Sequence, residues 1–179
     1  TKANLLNEYA TAYMGLYQYE KAINCYLQCI EQWQHANPNH ENRNESIGIF
    51  YGNIATTYRQ IGQAENALKY CFLAVPYRIR DGNKDFLARI YMDIAVNYSS
   101  LLRLDSAALY LNKAKPLVTS LNQPLLNTNF YLRQGENYKS VHDFNNALSS
   151  FQTAKENALK INHQFHLAGS INGIAESYL

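Results

Sequence analysis

Tyr51-Gly52-Asn53-Ile54-Ala55-Thr56-Thr57-Tyr58 is answered forty residues later by Tyr91-Met92-Asp93-Ile94-Ala95-Val96-Asn97-Tyr98. The same phase runs through the 179-residue chain. Its marker tyrosines are Tyr13, Tyr58, Tyr98, Tyr138 and Tyr178, spaced by 45, 40, 40 and 40 residues. A small residue stands three positions before each: Ala10, Ala55, Ala95, Gly135 and Ala175. Nine positions after the first four comes an alanine (Ala22, Ala67, Ala107, Ala147), and seven further on another small residue (Cys29, Ala74, Ala114, Ala154). A fixed period of this length predicts a solenoid of supersecondary units, each burying its apolar face against its neighbours.

Within a unit, apolar and small residues fall at i, i+3, i+4 and i+7, as in Tyr51, Ile54, Ala55 and Tyr58, which marks one stripe of a helix. A second stripe follows in Ala67, Leu68, Cys71, Ala74 and Val75. The small residues let two helices cross closely, and the tyrosine fills the space beside them. The expected turns inside the units are Tyr17-Gln18, Gly62-Gln63, Arg103-Leu104 and His142-Asp143. Polar strings at His35 to Asn44, Asp81 to Asp85, Ser120 to Pro124 and Lys160 to His163 join one unit to the next. The reading is a single array over residues 1–179, with units near 3–40, 48–85, 88–123, 128–163 and a partial unit at 168–179. Beginning on Thr1 and stopping inside a repeat, it reads as a fragment of a longer protein. Pro76 and Pro116 occupy the same place in consecutive second helices, where each removes a hydrogen bond and should bend or break the helix.

A net charge of +2 with 17% charged residues gives no field that would favour nucleic acid or an acidic membrane. No apolar run approaches the ~20 residues of a membrane span. No phosphate loop, nucleophile elbow or zinc-protease signature is present, so the chain reads as a non-enzyme without cofactors. Cys25 and Cys29 stand one helical turn apart, as two metal ligands could, but no histidine pair accompanies them; they read as buried thiols. His163 and His166 read as solvent-exposed.

Taken together, small-x2-Tyr-x8-Ala-x3-aromatic-x2-Ala resembles the tetratricopeptide repeat, over four full units and the start of a fifth. The resemblance implies an all-α, right-handed superhelical α-solenoid of about nine antiparallel helices. The departure is length, since the family unit is normally about 34 residues. Long versions resemble those of bacterial peptide-pheromone receptors, spindle-orientation adaptors, kinesin light chains and the sensor arms of bacterial regulators. The wording around Leu104-Asp105-Ser106-Ala107-Ala108-Leu109-Tyr110 looks most like repeats ahead of histidine-kinase or DNA-binding output domains in Bacteroidetes-type proteins.

The implied function is binding of a protein or peptide segment in the concave groove, as the sensory or scaffolding part of a signal-transduction protein. The alternative is a structural array mediating homo-oligomerisation or complex assembly, a homodimer included. A periplasmic location follows if it is the N-terminal arm of a membrane sensor, a cytoplasmic one otherwise. The family's groove positions fall here on Asn7, Thr11, Met14, Thr56, Arg59, Arg89, Met92, Val96, Asn129, Leu132, Glu136, Asn172 and Glu176, with Arg133 flanking. Chaperone-binding members hold a carboxylate with Lys-x3-Asn; Asn7 and Thr11 stand at those two places, which argues against a chaperone adaptor. Arg59 and Arg89, with Arg133, could grip a carboxylate or phosphate and make the middle of the groove positive, with Glu136 and Glu176 making its far end negative; the alternative is that Asp81, Asp85 and Asp93 neutralise the arginines as ordinary surface pairs.

Overall fold

The structure, a computed structural model, describes residues 2–36 and 39–178. Asn37 and Pro38, within the expected linker His35 to Asn44, lie outside the described residues, as do Thr1 and Leu179. Nine α-helices and no strand occur among the described residues: α1 (Lys2–Gly15), α2 (Tyr19–Gln34), α3 (Arg43–Gln60), α4 (Ala64–Asp81), α5 (Lys84–Ser100), α6 (Leu104–Leu121), α7 (Pro124–Ser140), α8 (Phe144–Lys160) and α9 (Gln164–Glu176). They fall into two compact units, one ending at Asn83 and one beginning at Lys84. No helix of the described residues is long and apolar enough to cross a membrane.

The first unit pairs α1 with α2 and α3 with α4, with α2 packed on α3. Its core holds Ala10, Ala22, Cys29, Ile47 and Ile54, all fully buried. The second unit pairs α5 with α6 and α7 with α8, and closes with α9 on α8. Ala88, Ala95, Ala107, Ala114, Leu126 and Phe130 form its core. The small residues of the repeat are thus where the period places them, with Ala55 at 3%, Ala95 at 1% and Ala107 at 0% exposure. Ala175 of α9 is exposed instead, because no second helix lies over it among the described residues. The marker tyrosines of the four complete hairpins are half-buried. Tyr58 stacks on Tyr70 at 5.4 Å and Tyr98 on Tyr110 at 5.8 Å, each joining the two helices of its hairpin.

The turns explain why the tyrosine phase is so regular. Tyr17, Gly62, Leu102 and His142 all take a left-handed backbone, with φ of 58°, 75°, 57° and 59°. One residue further on, the amide N–H of Gln18, Gln63, Arg103 and Asp143 donates to the carbonyl of Tyr13, Tyr58, Tyr98 and Tyr138, at 2.9 Å each. This Schellman closure satisfies carbonyls that the helix end would orphan. Three of the expected turns are where the sequence puts them. The third differs: its left-handed residue is Leu102, not Arg103 or Leu104, because the tyrosine sets the turn rather than the local propensity.

Of the two outcomes expected at the prolines, a break does not occur. Neither α4 nor α6 stops or restarts at Pro76 or Pro116. Both prolines are exposed, so each ring lies on the solvent side of its helix, where it displaces no core packing. Arg78, unremarked in the sequence, is buried with its partner Asp81 at 3.3 Å, and its side chain passes over Gly48.

At the end of the second unit, the buried ring of Phe151 on α8 lies between two glycines. A Cβ added to Gly135 of α7 would meet that ring at 2.6 Å, and one added to Gly173 of α9 would meet it at 2.5 Å. Gly173→Ala and Gly135→Ala should therefore each overpack the site and cost about 1–3 kcal/mol, read as lowered melting midpoints. Leu102→Gly should act the other way. Leu102 is 83% exposed, so little burial is lost. Relief of the left-handed strain, about 1–2 kcal/mol, outweighs the added freedom of glycine in the unfolded chain, about 0.5–1 kcal/mol, and denaturant melts should show a net gain.

Candidate functional site

Helices α5, α7 and α9 are the first helices of successive repeats, so residues forty apart share a phase. Packing of α5 on α7, and of α7 on α9, brings matching turns side by side. Arg89, Met92 and Asp93 of α5 and Asn129 and Arg133 of α7 thereby line a cavity of about 160 Å³. A second cavity of about 140 Å³ adjoins it, lined by Val96, Ser99 and Ser100 of α5, Arg133 and Glu136 of α7, and Leu111 of α6 behind them. Arg133 belongs to both.

Several of the charges here are matched within the protein. Arg89 Nε donates to Asp85 Oδ2 at 2.8 Å, one turn back on α5, and the Arg89 side chain is 40% exposed. Lys139 Nζ lies 2.9 Å from Glu136 and bonds Glu176 of α9 as well. The far end expected to be negative is therefore bridged by a lysine that groove positions alone did not bring into view. Met92, expected as a contact residue, is 6% exposed and joins the core, so only its edge reaches the cavity. Leu132 and Val96 are half-buried; Asn172 is exposed.

The pair read as solvated proves to be built in. His163 and His166 are both half-buried. His166 Nε2 lies 2.8 Å from Asn129 Oδ1, and its Nδ1 lies 2.7 Å from Nδ1 of His163. His163 also caps α9, its Nδ1 accepting the His166 amide at 3.4 Å. Burial, then His163 and the Arg133 guanidinium, hold the His166 imidazole below its ordinary range. The forty-residue phase could have flagged His166, which matches Leu126 of α7, but a lone histidine pair carried no such signal.

Asn7, Thr11, Thr56 and Arg59 belong to the first unit. Thr11 Oγ1 donates to the Asn7 carbonyl at 2.9 Å. Met14 Sδ accepts from Thr57 Oγ1 at 3.3 Å and packs against the core, so it joins α1 to α3. Asn7, Thr56 and Arg59 are half-buried. A wider hollow of about 430 Å³ involves Tyr17, Tyr19, Lys21 and Ile61, at turns rather than along the repeated face. Cys29 is buried with its Sγ 3.4 Å from the Ala3 carbonyl, and burial beside Cys25 pushes its thiol up to about 11. A thiol so far from ionising is a core group rather than a ready metal ligand.

Residues 3–32 match the family model described as Tetratricopeptide repeat. No curated protein matches the sequence. Among solved structures, BtubC (BKLC) from P. vanneervenii superposes with a TM-score of 0.83 at 18% identity, covering 97% of this chain and 70% of that one. The apo form of RapI gives 0.84 at 16% identity over 94% of this chain; the chain spans 46% of RapI. Nearly identical TPR-like repeats from Podosopora anserina give 0.72 at 14% identity, over 99% of this chain and 87% of theirs. The chain is an array of tetratricopeptide-like helical hairpins.

The Arg89–Asp85 pair is a partly exposed contact one helical turn apart, a kind worth about 0.3–0.5 kcal/mol. Arg89→Ala should accordingly leave the melting midpoint nearly unchanged. A large drop would make Arg89 a structural residue and remove it from the candidate site.

Proposed function

We propose that the chain is a non-catalytic protein-interaction module. Its ligand is an extended or helical peptide segment, and its contacts in the second unit centre on the cavity between α5 and α7. The observation that carries this reading is the convergence of Arg89, Asn129 and Arg133, from two successive repeats, on one small polar cavity. The exposed guanidinium groups offer paired donors suited to a carboxylate of the ligand. Asp93 and Glu136 nearby favour a ligand that also carries a basic group, a complementarity that acts on specificity and encounter rate more than on raw affinity. In this reading the array is the sensory or scaffolding part of a bacterial signal-transduction protein, a sensor histidine kinase or a transcriptional regulator. That assignment rests on the wording of its long repeats.

A second reading, assembly between copies, draws on one observation: α9 leaves Phe165 81% and Ile171 48% exposed, with Tyr178 beyond it at 71%. Light scattering on Ile171→Asp separates the two. A dimer that this change dissolves supports assembly, whereas a monomer throughout supports the module.

For the module, a peptide-array screen followed by titration supplies the test. Arg89→Glu and Arg133→Glu should each weaken a selected peptide by about 1–3 kcal/mol, the scale of a lost charged hydrogen bond, with the fold intact. A partner indifferent to both reversals removes this cavity as the site.

A further inference from the structure

The three side chains Asn129, His166 and His163 pose a problem of hydrogen count. Asn129 is held in one orientation, since its Nδ2 donates to the Leu125 carbonyl at 3.1 Å. Its Oδ1 therefore faces His166 Nε2, which must carry a hydrogen to make that 2.8 Å contact. His163 Nδ1, as the cap of α9, accepts from the His166 amide and must be bare. The 2.7 Å contact between the two Nδ1 atoms then needs its hydrogen on His166. All of these bonds are met together only when His166 holds both protons and is an imidazolium.

The surroundings push the other way. Burial, His163 and Arg133 disfavour charge on His166. Its place in the first turn of α9, at the positive end of the helix, does the same. The groups acting on it are His163 at its own helix cap and Arg133 of α7; α8, on which α9 also packs, carries Lys155, Glu156 and Lys160, and none is among them. In the neutral state one hydrogen must be given up: His163 turns donor to His166 and the cap is lost. An anion beside Arg133 and Asn129 would tip this balance, and those two residues line the α5–α7 cavity.

We propose that His166 is a proton-linked positioning residue of that cavity: a carboxylate bound by Arg89, Asn129 and Arg133 is matched by one proton taken up at His166, which locks Asn129 and α9 in place. The proposal rests on the reading of the cavity as the ligand site and adds its regulation. The proton count balances, one carboxylate bound and one proton gained from solvent. The sign follows from the depressed folded value. Without ligand, stability is full above the ordinary histidine value of 6.5 and declines as pH falls below it, because the unfolded chain takes the proton more readily. With a carboxylate bound, protonation becomes favourable, so affinity rises as pH falls through the bound-state value and levels below the free-state value.

The direct probe is acetate. In the whole chain, the His166 ring is titrated by NMR in chloride and in acetate at equal ionic strength. Acetate should raise the His166 midpoint by about half to one unit, equivalent to a roughly three- to tenfold tighter site for acetate on the protonated protein. The acetate-dependent rise should vanish in Arg89→Ala/Arg133→Ala. An unmoved midpoint, or a rise that survives in that double variant, overturns the proton link. His166→Gln, whose amide can still donate to Asn129, should retain the fold and bind a glutamate-containing peptide selected on the array with no dependence between pH 8 and pH 5.5, where the natural chain shows about tenfold tightening. If His166→Gln folds poorly, His163→Asn, a better helix cap, should flatten the profile in its place. A selected peptide that binds the natural chain equally at both pH values overturns the link and leaves the module standing. An array that yields no peptide sensitive to Arg89 or Arg133, together with an inert acetate titration, removes both.

Discussion

Close helix crossing at small residues is the constraint on which the rest depends. Ala55 and Ala67 are buried in one hairpin, and Ala95 and Ala107 in the next, all essentially free of solvent. No larger side chain fits there at native packing density. Holding the paired helices this close leaves the neighbouring first helices side by side, so that α5, α7 and α9 present matching turns forty residues apart. The cavity among Arg89, Asn129 and Arg133 is a by-product of that spacing. Gly135 and Gly173 carry the same constraint further, since the Phe151 ring can enter between α7 and α9 only where neither has a Cβ.

The marker tyrosines serve the crossing in two ways. Their rings meet second-helix tyrosines, as in Tyr58 with Tyr70 and Tyr98 with Tyr110. Their carbonyls close the turns, accepting the amides of Gln18, Gln63, Arg103 and Asp143. One position thus controls both how a hairpin packs and where it reverses. That dual role explains why the chain tolerates Tyr17, Leu102 and His142 in a left-handed backbone that costs non-glycine residues energy.

The polar face is neither an open row of contacts nor a sealed seam. Arg89 leans on Asp85, and Lys139 ties Glu136 to Glu176. Such partly exposed pairs are cheap to exchange, so a ligand can replace them without leaving a buried charge alone. The bonds between His166 and its neighbours differ in kind. They are partly buried and join α9 to α7, and their hydrogens cannot be rearranged without changing the proton count.

How much of this was legible in the residues divides along a physical line. Periodicity and residue size revealed the helices, the hairpins, the buried alanines and three of the four turns, because those features repeat locally and each copy confirms the others. The position of Leu102 and the burial of Met92 escaped. Each depends on a balance between local preference and a neighbouring helix. Of the groove candidates, those of α5 and α7 fall on neighbouring first helices, and Asp85 was legible as a neutralising partner of the arginines, but the bridge made by Lys139 and the contact of Asn129 with His166 came only with the packing. Side chains one repeat apart in sequence become neighbours through the distance between helix axes, and no one-dimensional pattern carries that distance. Fold and hairpin register were therefore set by a repeated local rule. The matching of charges and the contacts of His166 were decided by which side chains the tertiary packing left facing one another.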